Sequence, residues 1–373
     1  MPERTPHVSN VRTLVVKLGT QLLTDAHGRL DAPFVTTIAK QVAHLRAERN
    51  VAVTVVSSGA IGSGLAELNL PKRPTDLAKL QAVAAVGQRR LMDCWAAAFA
   101  PHGVHVAQIL LTREDVDARA RYLNVRNTIH AAQEYGAIPI VNENDTISTD
   151  EIAGITFGDN DILAATVAGA IRADLLVLLS VVDGLLDGHG KPVPFVSDLN
   201  EAQHLVRSEK SHSGKGGMSS KLFAAKEVTE SGLAFIVANG RAPDVLPRIL
   251  SGEELGTLVC PPTRATRRGG RDRWIGSARA AGSIVVDAGC AKAIAQHNKS
   301  LLPAGIVKVE GSFARGDVVA IVSPEGHTIA RGLTNYAAED VAKIKGKKTA
   351  EVRAMELERT YDEVVHRDNL VVV

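Results

Sequence analysis

A lysine and several small residues stand at the ends of apolar runs, where they could bind an anionic ligand. Lys17 follows two valines at the end of a predicted strand. Burying an unpaired ammonium group is costly, so this side chain needs an anionic partner. A phosphate suits it, because α/β sheets bind their ligands at the carboxyl ends of strands. The alternative is a lysine that reaches solvent from an edge strand. The residues around Lys17 alone do not distinguish this alternative from a phosphate-binding lysine.

Two glycine-rich loops could bind phosphate groups. SSGAIGSG spans residues 57–64, and SGKGGMSSKL spans residues 213–222 and runs into a predicted helix. Small residues let backbone N–H groups approach an anion, and Lys221 could neutralise charge on a transferring phosphoryl group. An ordinary glycine turn and a flexible surface loop are the alternatives. The common nucleotide signatures G-x-x-x-x-G-K-[ST] and G-x-G-x-x-G after a strand are absent from the sequence.

Acidic and amide side chains cluster in two further segments. VNEND occupies residues 141–145 after a predicted strand, and FGDND occupies residues 157–161 at a predicted helix start. Helix capping explains one such residue but not the whole set. The cluster is suited to hold an amino group, to orient lysines or to help place Mg²⁺.

The elements that position these residues alternate along the first 260 residues. The predicted strands are 13–18, 51–57, 104–111, 138–142, 175–179 and 235–237, and the predicted helices are 32–48, 76–100, 116–135, 161–171 and 219–231. Strands that are apolar on both faces and alternate with helices predict a three-layer αβα sandwich with a mainly parallel sheet. Residues 1–10 are expected to form a loose arm before the first strand.

The pattern changes after Cys260. Residues 263–279 are rich in Arg and Gly, and short β-like runs follow at 283–286, 306–310, 318–322 and 328–332. We therefore predict a catalytic domain over 1–262, a linker over 263–279, and a small β-rich domain with a polar C-terminal tail over 280–373.

Charge and cysteine content exclude several classes of protein. The chain of 373 residues carries a formal net charge of +2, and its three cysteines are unclustered. Residues 280–373 hold 12 Lys+Arg and 12 Asp+Glu, and the excess positive charge lies in 263–279. These counts argue against a dedicated nucleic-acid or membrane-surface binder, a disulfide framework and a zinc site. A cytoplasmic protein is expected, because no apolar run reaches the length of a membrane span.

The five motifs VVKLGT, VSSGAIGSG, VNEND, FGDND and GKGGMSSKL, in this order, resemble the amino acid kinase family. Within that family they are similar to the enzymes that phosphorylate the side-chain carboxylate of glutamate, the first step of proline biosynthesis. Residues 283–350 resemble the PUA domain that many of these enzymes carry. The resemblance implies an amino acid kinase-like sandwich followed by a small β-rich PUA-like barrel.

The resemblance also implies residue roles. Lys17 and Lys221 would bind ATP phosphates and stabilise the transferring group, and Asp161 would orient both lysines. Glutamate would be bound by Ser57, Asp145 and Asn160. The implied ATP-binding residues are Lys17, Ser180, Val181, Lys215, Gly216, Gly217, Met218, Ser219, Ser220 and Lys221. Mg²⁺ would accompany ATP, and no side chain is predicted to be a dedicated metal ligand.

Three positions depart from the family pattern, namely Val181, Leu186 and Lys215. They are expected to alter nucleotide contacts. The resemblance further implies a homo-oligomer (dimer or tetramer), feedback inhibition by proline and a possible contact with the next enzyme of the pathway. Two alternatives remain open: a related kinase acting on aspartate or N-acetylglutamate, and RNA binding through the PUA-like domain. The zero net charge of residues 280–373 argues against RNA.

Overall fold

The computed structural model describes residues 4–25, 28–147, 160–187, 191–197, 199, 218–261, 270–297, 299–355 and 361–373. The chain forms two compact units, Met1–Arg267 and Arg268–Val373. A helix, Gly270–Ser277, lies within the stretch that we expected to be a linker and belongs to the second unit.

One eight-stranded sheet organises the first unit. Its strands are β1 (Thr13–Leu18), β2 (Ala52–Val56), β3 (Val106–Leu111), β4 (Ile138–Glu143), β5 (Leu175–Ser180), β6 (Phe195–Val196), β7 (Ala234–Asn239) and β8 (Thr257–Val259). The strand order is β3-β4-β2-β1-β5-β7-β8-β6. All neighbours are parallel except β7 and β8, which run antiparallel. The predicted mainly parallel sheet is confirmed.

Helices cover both faces of this sheet. They are α1 (Thr5–Val8), α2 (Thr20–Leu23), α3 (Ala32–Arg49), α4 (Ala60–Glu67), α5 (Leu77–Phe99), α6 (Arg113–Asp117), α7 (Arg119–Glu134), α8 (Asn160–Ile171), α9 (Met218–Glu230) and α10 (Val245–Leu250). Helices α3 and α5 begin after Asp31 and Asp76, whose carboxylates accept backbone N–H groups of the first turn.

Alternate residues of each strand point to opposite faces, so the sheet separates two cores. Val16 of β1 packs with α3 and α5 in the first core, whereas Val15 packs with α8 and α9 in the second core. The three-layer αβα sandwich is therefore confirmed. The same alternation places Lys17, two residues after Val15, on the face that α8 and α9 cover.

Some short strands and the N-terminal segment differ from what the sequence predicts. Strands β6 and β8 were not predicted, because a run of two or three residues gives little periodic signal. Residues 4–10 are not a loose arm: Val8 is fully buried in the first core, and the Arg4 guanidinium donates to the carbonyl oxygens of Leu255 and Gly256.

Two glycines bring α4 and α5 into backbone contact. A Cβ atom on Gly87 of α5 would lie 1.8 Å from the carbonyl oxygen of Ala60, and one on Gly64 of α4 would lie 1.9 Å from that of Val83. Only glycine permits so close an approach. This contact fixes α5 directly against α4.

The second unit contains a mixed five-stranded sheet. Its elements are α11 (Gly270–Ser277), β9 (Gly282–Val286), α12 (Ala288–His297), β10 (Ile306–Gly311), β11 (Val318–Val322), β12 (Thr328–Leu333), α13 (Ala338–Ile344), α14 (Thr349–Arg353) and β13 (Leu370–Val372). The strand order is β10-β9-β11-β12-β13. The β-rich character of this region is confirmed, but its C-terminus is not only a polar tail, because β13 pairs with β12.

Among the helices in the described parts of the chain, none is both long enough and apolar enough to cross a membrane.

We predict that Gly87→Ala lowers the free energy of unfolding by roughly 2 kcal/mol, because the new methyl group forces α4 and α5 apart. Urea unfolding followed by circular dichroism measures this change. Gly169→Ala in α8 is the matched control: a Cβ atom there meets no atom within 4 Å. Its helix propensity should stabilise the protein by about 0.5–1 kcal/mol. Equal effects of the two substitutions would contradict the close packing of α4 and α5.

Candidate active site

The carboxyl ends of β1 and β5 are where the topology favours ligand binding. These strands are neighbours, but the chain continues from β1 to β2 on one side of the pair and from β5 to β6 and β7 on the other. Ligands of open α/β sheets bind at such a switch point. Lys17 lies near the end of β1, between Val56 of β2 and Leu178 of β5, and is only 5% exposed.

Asp161 joins two lysines that come from different elements. It lies in the first turn of α8 and is fully buried. Its Oδ1 forms a short ion pair with Lys17 Nζ, and its Oδ2 lies 3.5 Å from Lys221 Nζ on α9. Ser220 Oγ donates to Oδ2 at 3.0 Å. The three residues predicted to act together are therefore in contact.

The surroundings of Asp161 keep it ionised. Burial alone would raise the pKa of its carboxyl group, but the charges of Lys17 and Lys221 and the hydrogen bonds from Lys17 and Ser220 lower it below the ordinary value of 3.8. The N-terminal end of α8 adds partial positive charge beside the carboxylate. One carboxylate thus holds two ammonium groups, and their combined charge retains a surplus of one positive unit.

A second cluster, made of amides and hydroxyls, lies beside the first. Asn160 Nδ2 donates to the carbonyl oxygen of Ser57 at 2.6 Å, to Ser58 Oγ at 2.8 Å and to Asn142 Oδ1 at 3.0 Å. Asn160 precedes Asp161 in the chain, so the start of α8 contributes to both clusters. Two of the predicted glutamate-binding residues, Ser57 and Asn160, are therefore close together.

Sequence reasoning missed two contributors to this cluster, both on α5. Gln88 Oε1 accepts a hydrogen bond from Asn142 Nδ2 at 2.8 Å, and Trp95 Nε1 donates to Ser57 Oγ at 3.2 Å. Trp95 has the periodicity of a core residue, and it is indeed fully buried. A polar side chain on an apolar helix face was the only available signal for Gln88.

The remaining predicted residues lie around these clusters. Asp145 is half-buried in the turn after β4, Ser180 ends β5, and Val181 is 46% exposed. Met218 and Ser219 begin α9. Lys215, Gly216 and Gly217 lie outside the described residues.

A cavity of about 210 Å³ lies at the carboxyl end of β7, near Ser180 and Val181. Its polar lining includes Glu254, Asp183 and Asn239. Asn239 Nδ2 donates to Asp183 Oδ1 at 2.9 Å, so these two side chains are oriented by each other.

Comparison with protein families decides the relationship. Residues 12–239 match the model of the amino acid kinase family, and residues 282–355 match that of the PUA domain. This chain belongs to the amino acid kinase family. The family match contains every residue of the lysine cluster and of the amide cluster.

Curated relatives of this amino acid kinase match over nearly their full length. A protein of Rhodopirellula baltica named glutamate 5-kinase is 43% identical over 371 residues, covering 98% of this chain and 94% of that protein. A protein of the same name from Thermus thermophilus is 44% identical over 367 residues, covering 97% of each chain.

The described side chains of the two clusters can act through charge and hydrogen bonds. Burial raises the pKa of Cys260 and of Cys290 to about 11, so neither thiol is ionised at neutral pH. In the described parts of the chain, no three His, Cys, Asp or Glu side chains form a group that could hold a metal ion. Two lysines and a cluster of amides can bind and orient anionic and amino groups.

We predict that Asp161→Asn lowers the free energy of unfolding at pH 7 by about 3 kcal/mol, because Lys17 and Lys221 lose the buried carboxylate that both contact. The folded-state pKa of Asp161 is below its unfolded value, so its contribution is complete above pH 3.8 and is lost as the pH falls further. The difference between the two proteins should therefore shrink only below that pH.

Urea unfolding at a series of pH values from 7 down to 3 measures this difference. Asp93→Asn is the matched control, because Asp93 forms an exposed pair with Arg89 on α5 and should have little effect at any pH. A difference for Asp161→Asn that stays constant through pH 3 would contradict the assignment.

Proposed function

We propose that this chain transfers the γ-phosphoryl group of ATP to the side-chain carboxylate of L-glutamate, giving L-glutamyl 5-phosphate. The observation that carries the proposal is that Asp161 contacts both Lys17 and Lys221 at the carboxyl ends of β1 and β5. The substrate is supported by relatives named glutamate 5-kinase, which align over nearly the whole chain. The proposed reaction is the first step of proline biosynthesis.

The lysines stabilise the charge of the transferring phosphoryl group. Phosphoryl transfer has a loose transition state with charge on the equatorial oxygens, so positioning and electrostatics supply most of the catalysis. Lys17 approaches from the sheet and Lys221 from α9. Asp161 fixes both ammonium groups before the substrates bind, which lowers the reorganisation required during the reaction.

The acceptor in this reaction needs no general base. The side-chain carboxylate of glutamate has a pKa near 4.3 and is ionised at neutral pH. One of its oxygens forms the new bond to the γ-phosphorus while the bond from that phosphorus to the β,γ-bridging oxygen breaks and ADP leaves. This agrees with a site built from lysines and amides.

The amide cluster and the turn after β4 bind the amino-acid end of glutamate in our proposal. Asn160 and Ser57 lie within one hydrogen-bond network, and Asp145 lies in the neighbouring turn. A carboxylate such as Asp145 attracts the substrate ammonium group, and the amides supply directional hydrogen bonds.

The nucleotide is bound by residues 215–221 together with Ser180 and Val181 in our proposal. The side chain of Val181 cannot accept a hydrogen bond from a ribose hydroxyl, so we assign the polar contacts of the nucleoside to Asp183 and Asn239, which line the cavity at the carboxyl end of β7. Mg²⁺ enters with ATP. Both Asp161 oxygens already contact lysine or serine, so phosphate oxygens and water would be its main ligands.

The proposal also covers regulation and assembly. Residues 1–262 form the catalytic domain and residues 280–373 the PUA-like domain with its tail; of the stretch 263–279 between them, α11 belongs to the second unit. Proline, the product of the pathway, inhibits at or beside the glutamate site. The enzyme is a cytoplasmic dimer or tetramer, and the next enzyme of the pathway is a possible partner. These points rest on family resemblance.

An assay for acyl phosphate tests the activity. With ATP, Mg²⁺, L-glutamate and hydroxylamine, we expect formation of glutamyl hydroxamate, because hydroxylamine traps an acyl phosphate. L-aspartate and N-acetyl-L-glutamate serve as alternative acceptors and competitors. Failure of the wild-type protein to form glutamyl hydroxamate, or a preference for either alternative, would refute the proposal.

We predict that Lys221→Ala lowers kcat by about 10²- to 10³-fold, because it removes a charge that acts on the transition state. Asp145→Ala should mainly raise the KM for glutamate. Lys226→Ala is the matched control on α9, because Lys226 forms an exposed pair with Glu230 and should leave both constants unchanged. Equal and mild effects of Lys221→Ala and Asp145→Ala would contradict this division of roles.

A further inference from the structure

Three amide side chains form a continuous row from α8 to α5. Asn160 Nδ2 lies 3.0 Å from Asn142 Oδ1, and Asn142 Nδ2 lies 2.8 Å from Gln88 Oε1. Asn142 is 2% exposed and Gln88 is 7% exposed. The row passes the end of β4 and connects a proposed substrate-binding residue to a helix that has no other proposed role in the reaction.

A backbone carbonyl fixes the direction of this row. The oxygen of Ser57 can only accept a hydrogen bond, so the atom of Asn160 that faces it at 2.6 Å must be Nδ2. Asn142 must then present Oδ1 to the same Nδ2 group. Its own Nδ2 is consequently turned towards Gln88, which must present Oε1.

This direction determines what Asn160 offers to a ligand. In the described part of the chain, all three of its side-chain hydrogen bonds use Nδ2. Its Oδ1 is therefore the atom left to accept a hydrogen bond. An acceptor oxygen is suited to the ammonium group of an amino acid and would repel its carboxylate.

The backbone at Gln88 is held in place by the packing of the preceding residue. Its neighbour Gly87 lies against the backbone of α4, in a contact that would not admit a larger residue. Among the described residues, Gln88 makes one side-chain hydrogen bond, to Asn142, and its buried Nε2 has no partner. Gln88 Oε1 thus accepts from Asn142, whereas Gln88 Nε2 donates to no described residue.

We propose that Gln88 is a positioning residue for the amino-acid substrate. By accepting from Asn142 Nδ2, it keeps Asn142 Oδ1 on Asn160 and so keeps Asn160 Oδ1 directed at the substrate ammonium group. This inference rests on the proposed function, because it requires that Asn160 bind glutamate.

The test is Gln88→Met, which preserves side-chain length but removes the acceptor. We expect the KM for L-glutamate to rise about tenfold, the equivalent of one hydrogen bond. The KM for ATP and kcat should change less than about twofold, because the lysine cluster is on the other face of the sheet. Gln88→Asn, which cannot reach Asn142, serves the same purpose if the methionine variant does not fold.

Gln41→Met is the matched control. Gln41 is 3% exposed, its Oε1 accepts from the Leu246 backbone N–H at 3.0 Å, and its Nε2 likewise has no partner in the described part of the structure. It lies on α3, among the first-core residues. Its substitution should lower thermal stability as Gln88→Met does, but leave the KM for glutamate unchanged.

A double-mutant cycle with Asn142→Leu tests the route of the effect. If Gln88 acts through Asn142, Gln88→Met should cause no further rise in KM when Asn142 is already replaced. A wild-type protein without glutamate kinase activity would refute the proposed function itself. If the wild type is active, three results would refute the role of Gln88 alone. Gln88→Met could leave the KM for glutamate unchanged, raise the KM for ATP equally, or raise the KM for glutamate further in the Asn142→Leu background.

Discussion

The candidate site depends on the two ion pairs that the buried carboxylate of Asp161 forms with Lys17 and Lys221. Lys17 lies on a central strand and Lys221 on α9, and burying either ammonium group without an anionic partner would be costly. Asp161 contacts both. Because Asp161 lies in the first turn of α8, these contacts hold the start of α8 against β1 and α9 beside α8.

The alternation of side chains along the strands divides the site into two parts. Lys17 projects to the face of α8 and α9, with Val15 and Val56, whereas Asn142 and Ser57 project to the face of α5, with Ile140 and Val55. Asn160 and Asp161 are adjacent, yet one contacts each part. The start of α8 therefore connects the residues for charge stabilisation with those for substrate recognition at the carboxyl end of the sheet. A shift of this helix would disturb both.

The glycines of the loop after β2 matter for packing as much as for ligand approach. Gly59, the residue immediately before α4, has a φ of 93°, a conformation that favours glycine. Gly64 and Gly87 then allow α4 and α5 to touch through their backbones. A motif that the sequence suggested as a phosphate loop thus also places Gln88 and Trp95 against the polar ends of β2 and β4.

The fold class and the long elements could be predicted from the sequence, because apolar periodicity is a local signal. The roles of the two lysines, Asp161, Asn160 and Ser57 are expected from motifs that resemble a known family. That Gln88 and Trp95 complete the amide cluster could not be predicted, since their partners lie 54 and 38 residues away in the chain. The same holds for β8 and β13, short segments that become strands because a neighbouring strand offers an unpaired edge. Local sequence encodes which surface an element buries, whereas long-range packing decides what that surface meets.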